Sequence, residues 1–194
     1  NLAFPEISES VRPNSRFVAV TGASNGLDTQ VRVSRRQWFA NLTYGLSKVT
    51  YETDEGSFRP PHDRRHQLSS ALGFSLGSIQ FRFGWQYGSG LPFTQLAGFY
   101  DAVPIQVGSR DFHTNPGTPS IALGESFGGR LPAYHRLDVS VERKFTSPVV
   151  EATLQVGAVN VYDRSNLFDL DLFSAKRVNQ LPVIPTIGLR IEVR

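Results

Sequence analysis

"SIQFRFGWQYGSG", residues 78–90, alternates apolar and polar without a slip. In an extended chain, successive side chains point to opposite faces. Ile79, Phe81, Phe83, Trp85 and Tyr87 therefore fall on one side, and Gln80, Arg82, Gly84, Gln86 and Gly88 on the other. The segment reads as a strand with one strongly apolar face. What solvent that face meets decides the fold.

The same pattern recurs along the chain. Residues 26–34 set Leu27, Thr29, Val31 and Val33 against Asp28, Gln30, Arg32 and Ser34. Residues 37–51 set Trp38, Ala40, Leu42, Tyr44 and Leu46 against Asn41, Thr43, Gly45 and Ser47. In 65–77, Leu68, Leu72, Phe74 and Leu76 oppose Gln67, Ser69, Ala71, Gly73 and Ser75. In 135–146, Leu137, Val139, Val141 and Phe145 oppose Arg136, Asp138, Ser140, Glu142 and Lys144. In 183–194, Ile187, Leu189, Ile191 and Val193 oppose Thr186, Gly188, Arg190 and Glu192. Residues 151–162 alternate less cleanly, and 15–22 give the weakest signal. With 79–89, these make about eight expected strands, and helical periodicity is absent. The fold expected is all-β.

The links differ in length. Those at 34–36, 77–78 and 146–150 are tight, whereas 53–65, 92–134 and 163–182 are long. Tight and long links alternate, so in an up-and-down meander each kind gathers at one end of the strands. Short turns at one end and long loops at the other are the layout of an outer-membrane barrel. Most segments approach the roughly 9–11 residues of a tilted membrane strand, against about 5–6 for a soluble one. Aromatics near strand ends (Trp38, Phe39, Trp85, Tyr87, Phe145, Tyr162) suit interfacial girdles.

Composition is compatible with this reading. Of 194 residues, 19% are charged, below the usual quarter of a soluble domain. The net charge of +3 is spread along the chain, so no basic block points to nucleic acid. Cysteine is absent, so no disulfide forms. No apolar run reaches the roughly 18 residues of a membrane helix, and residues 1–14 do not read as a signal peptide. A soluble sandwich or lipocalin-like barrel would alternate too, with the apolar face inward. Glycine-rich polar faces favour a watery lumen over a soluble protein's exterior.

The ordered set "GASNGLDTQVRVS", "WFANLTYGLSKVTYE", "RPPHDRRHQLSSALGF", "FRFGWQYGSGLPFT", "GGRLPAYHRLDVSVERKF", "VGAVNVYDRSNLF" and "LPVIPTIGLRIEV" resembles the C-terminal β-barrel section of TonB-dependent outer-membrane receptors. The resemblance runs from about Arg16 onward. It implies a section of an antiparallel up-and-down transmembrane β-barrel, with short periplasmic turns and long extracellular loops, in a bacterial cell outer membrane. The implied function is active uptake of a scarce nutrient: a siderophore–iron complex, cobalamin or an oligosaccharide. The implied partners are outer-membrane lipid, the nutrient, and the TonB energy-coupling system acting through a plug domain that 1–194 lacks. No enzyme activity, cofactor or nucleic acid is implied. Val193 stands where the family tends to carry a terminal aromatic. The alternatives are a self-contained eight-stranded outer-membrane barrel, serving as adhesin or structural protein, and a soluble ligand-binding β-barrel.

On this reading Leu72, Phe74, Phe81, Phe83, Trp85, Leu137, Val139, Leu189 and Ile191 face lipid. Arg82, Gln86, Arg136, Asp138, Glu142 and Arg190 face the lumen. The loop candidates for ligand contact are Phe93, Phe99, Tyr100, Phe112, His113, Phe127 and Arg130, since exposed loop aromatics commonly carry recognition. Self-packing of those rings is the competing reading. The cluster "PPHDRRH" (60–66) reads as a loop-to-strand corner held by Arg and Asp hydrogen bonds, because His62 and His66 in an extended stretch lie over about 10 Å apart. "DLDLF" (169–173) offers only two carboxylates, too few for a calcium loop. No motif for a catalytic triad, zinc site or phosphate loop is present.

Overall fold

The computed structural model describes residues 20–53, 56–102, 118–172, 174 and 176–193. Among these the chain is all-β, without a helix. Its strands are β1 (Thr21–Ser34), β2 (Trp38–Thr53), β3 (Gly56–Phe58), β4 (His66–Leu76), β5 (Ile79–Gly88), β6 (Pro92–Phe93), β7 (Leu96–Ala102), β8 (Thr118–Leu123), β9 (Gly129–Arg130), β10 (Tyr134–Thr146), β11 (Val150–Val159), β12 (Leu167–Asp171), β13 (Lys176–Asn179) and β14 (Ile184–Val193).

The main sheet runs β1-β2-β4-β5-β10-β11-β14, with β3 folded back on β2. Every adjacent pair is antiparallel. Three small two-stranded sheets, β6-β9, β7-β8 and β12-β13, build up the long connections. The meander and its alternating links are as the sequence predicts. Two strand assignments change. β1 is one strand of 14 residues where two segments, 15–22 and 26–34, were expected; residues 15–19 lie outside the described ones. The long links contain strands of their own, paired as β6-β9, β7-β8 and β12-β13.

Registers align the amphipathic pattern across the sheet. One row of partners joins Val33, Ala40, Leu72, Phe83, Val139 and Ala158. The next apolar row joins Trp38, Phe74, Phe81, Val141, Val156 and Ile187. On the opposite face a row joins Ser34, Phe39, Gly73, Arg82, Ser140, Gly157 and Thr186. A one-residue slip would exchange the faces, so six pairings in a consistent register mean one continuous apolar surface. Phe39 departs from the expected girdle. It sits on the polar face, and its ring covers Gly73, where an added Cβ would meet it at 2.0 Å.

No described residue covers the apolar surface. Among the described residues no hydrophobic side chain is buried, while Leu72, Phe74, Phe83, Leu189 and Ile191 rank among the exposed large hydrophobics. The fully or nearly buried polar residues are Asp63, Asn160 and Asn166, all in the long links. Among the described residues β1 and β14 pair on one side only, so the described strands form an open sheet and not a closed barrel.

Candidate functional site

The long links meet at one end of the sheet, and polar clasps hold them there. Asp63 is fully buried at the corner before β4. Its Oδ1 accepts the Val49 N–H at 2.9 Å, and its Oδ2 accepts Arg130 Nη2 at 2.8 Å. Arg130 Nη1 also donates to the backbone oxygens of Asp63 and Gly90. Burial alone would raise the Asp63 pKa. The Val49 and Arg130 hydrogen bonds and the charges of Arg130 and Arg65 outweigh it, holding the carboxyl below its ordinary 3.8. The Pro60-Pro61 segment thus forms the Arg–Asp corner that the sequence suggests. Arg130, expected among the ligand-contacting residues, is a strut tying that corner to β9. Gly90 must be glycine here, since a Cβ would stand 1.6 Å from the Leu131 carbonyl oxygen.

A second clasp closes the link after β11. Asn160 adopts φ 57°, a left-handed conformation that asparagine tolerates better than most residues. Its N–H donates to Asp138 Oδ1, its Nδ2 donates to the oxygens of Arg164 and Leu181, and its Oδ1 accepts Arg164 N–H. Asn166 makes two bonds to the backbone of His135. With the side-chain amides of Asn160 and Asn166 paired, their burial stabilises the link instead of costing free energy.

Beside the Asp63 clasp lies an aromatic cluster on the polar side of the sheet. The strand pattern of β2 explains how it arises. Up to Leu46 its even-numbered residues are mostly apolar; beyond it Lys48, Thr50 and Glu52 take that face, and Val49 and Tyr51 turn inward. Tyr51 packs edge-on against Phe58 (5.8 Å between centroids) and against His62 (5.9 Å). Phe58 stacks on Phe127 at 5.6 Å and 23°. Phe127 has φ 56°, a left-handed backbone that costs a bulky residue about 1–2 kcal/mol. The ring pair returns about 0.5–1.5 kcal/mol. Its N–H is fixed by Thr94 Oγ1 at 3.1 Å.

The remaining loop candidates are dispersed. Phe93 lies in β6 beside Gly129, where an added Cβ would meet its ring at 2.8 Å. Phe99 and Tyr100 project from the β7-β8 hairpin, 63% and 53% exposed. Phe112 and His113 lie outside the described residues. The sequence reading missed Tyr51 and Phe58. The break in alternation after Leu46 could have found Tyr51; Phe58, ahead of Pro60-Pro61, carries no comparable signal.

The residues read as lumen-facing make these contacts. Arg82 pairs with Glu142 at 3.0 Å and Arg136 with Asp138 at 2.8 Å, Arg190 pairs with Glu192, and Gln86 accepts from the Tyr134 hydroxyl. Glu142, Lys144, Glu151, Arg190 and Glu192 line a trough of about 510 Å³ near the short turns. Their mixed signs select no single ligand charge. The two histidines of 60–66 point to different faces, His62 to Tyr51 and His66 Nδ1 to the Tyr44 hydroxyl at 2.9 Å. Among the described residues no three His, Asp or Glu side chains gather as metal ligands.

On the apolar face, rings mark both ends. Trp85 donates from Nε1 to the Tyr162 hydroxyl, which also meets His135 Nδ1 at 2.7 Å, and Trp85 stacks on Tyr87. At the short-turn end Arg143 lies over the Phe145 ring at 4.9 Å. Comparison with protein families, curated proteins and solved structures finds no match to this chain.

Proposed function

We propose that this chain forms part of the wall and ligand-side loops of a TonB-dependent receptor in a bacterial outer membrane, taking up a scarce nutrient such as a siderophore–iron complex, cobalamin or an oligosaccharide. One observation carries the reading: a single sheet face is apolar and uncovered across six registered strand pairs, then turns polar along the same strand at Lys48. A protein core does not end partway along a strand at a fixed height; a bilayer surface does. From His135 to Phe145, β10 spans about 33 Å, or about 25 Å in height at a tilt near 40°, which matches an outer-membrane apolar band. The rings at both margins suit interfacial girdles, and the ion-paired opposite face suits water.

Parity of the described strands speaks against a barrel closed by β1 on β14. Six antiparallel steps leave β1 and β14 running in the same direction. Joining them would require a parallel pair, which an up-and-down barrel does not use. Both edges therefore call for partners beyond the described strands. In this role the chain does no covalent chemistry; it supplies wall and loops, while a plug domain would couple transport to TonB. The test is cargo accumulation. Cells making the intact protein should accumulate a labelled siderophore–iron complex, cobalamin or oligosaccharide only while TonB and the proton gradient are intact. Accumulation of all three that is indifferent to removing the protein contradicts the reading.

A further inference from the structure

We propose that the face of the Phe58 ring that Phe127 covers is a binding site for a flat aromatic ring, and that Phe127 occupies it in the ligand-free protein as a displaceable stand-in. Three observations meet here. Phe127 is a bulky residue held at φ 56°, the only one of the three left-handed non-glycine residues among those described that is neither Asn nor Asp. Such strain persists only where neighbours enforce it, and it concentrates at switching and binding positions. What enforces it is the 5.6 Å stack on Phe58 and the bond from its N–H to Thr94 Oγ1.

The second observation is that the link from β5 to β10 does not need this stack to stay in place. The Arg130 clasp on buried Asp63 already anchors its base. Phe127 lies in the turn closed by Gly128 N–H to the Glu125 oxygen, with Gly128 and Gly129 immediately following. The turn can therefore swing without breaking the anchor. Third, the platform under Phe127 is prebuilt: Tyr51 braces Phe58 edge-on, and His62 braces Tyr51. A ring that replaces Phe127 on Phe58 gains the same stacking, while Phe127 is freed to leave its left-handed backbone. The ligand class follows from the geometry of exchange. Only a planar ring of about benzene size reproduces the 23° stack. The proposal holds whichever solvent the apolar face of the sheet meets, so it can fail while the outer-membrane reading stands.

The test uses the intact protein in detergent micelles and two probes, phenol and the non-planar cyclohexanol, with binding followed by saturation-transfer NMR against empty micelles. Phe127→Gly removes the ring and fits the left-handed backbone, so the fold is kept. It should tighten phenol binding at least about threefold relative to the unaltered protein, with cyclohexanol binding several-fold weaker than phenol. Adding Phe58→Leu, which keeps apolar volume but removes the ring, should abolish the gain. In the unaltered protein, phenol should speed hydrogen exchange at the amides of Phe127 and Gly128. Phenol affinity unchanged or reduced in Phe127→Gly, equal binding of the two probes, or a gain that survives Phe58→Leu would each overturn the proposal.

Discussion

The strands and the long links of this protein are built on opposite rules. Among the described residues of the main sheet, large apolar side chains lie uncovered and none is buried; in the links, the buried side chains are the polar Asp63, Asn160 and Asn166 with Pro60 and Pro92. A water-soluble domain hides its apolar groups and exposes its charges. Here the strands leave their apolar groups exposed, and the links hold their shape through the paired side chains of Asp63, Asn160 and Asn166. The contrast shows where stability comes from in each part. Backbone ladders hold the sheet, while a few buried hydrogen bonds hold the links.

Substitutions that put the wrong rule in either region should separate the two. The largest effect is expected for Phe83→Lys, at the middle of β5 in the apolar row. In a bilayer it should destabilise the fold by about 2–4 kcal/mol in denaturant titration, whereas the same change on an aqueous surface should cost little. Next comes Asp63→Ala, which strips Arg130 of its carboxylate and leaves the Val49 N–H without an acceptor. Because Arg130 remains partly exposed, the loss should be about 2–3 kcal/mol, and it should appear as faster proteolysis of the links before the strands.

Acid tests the same clasp with a definite sign. The folded Asp63 pKa lies below the unfolded value, so its contribution is fully present above about pH 4 and is lost as pH falls through the folded value. Loop protection measured by hydrogen exchange should drop below about pH 4, and Asp63→Asn should remove that acid-dependent step. Asn160→Ala should cost about 1–3 kcal/mol by losing the side-chain bonds and straining the left-handed backbone, and Asn160→Gly should recover part of this through the backbone alone. The smallest effect belongs to Glu142→Gln on the polar face. Its ion pair with Arg82 is solvent-exposed, so a change of about 0.2–1 kcal/mol is expected.

How much of this could be read in advance follows the same division. The strands were legible because period-two alternation reports face directly. Residues 79–88 gave their register partners' faces from the sequence alone. Phe39 escaped because aromaticity near a strand end suggests a girdle, while parity puts it opposite Trp38 and over Gly73. The Asp63 corner was legible through its Pro60-Pro61 and clustered Arg residues, but its partner Arg130 was not. Sixty-seven positions separate the two, and no local pattern links them. The Phe58–Phe127 stack was invisible for the same reason, and because a left-handed phenylalanine contradicts every local propensity.

The solvent of the apolar face can be measured with the chain's own two tryptophans, Trp38 near the short turns and Trp85 toward the long links, which share that face. With the intact protein in vesicles whose acyl chains carry bromine, single-tryptophan versions made by Trp38→Phe and Trp85→Phe should both lose most of their fluorescence and resist quenching by aqueous acrylamide. Undiminished fluorescence in brominated lipid, with free quenching by acrylamide, would contradict a wall that faces the membrane.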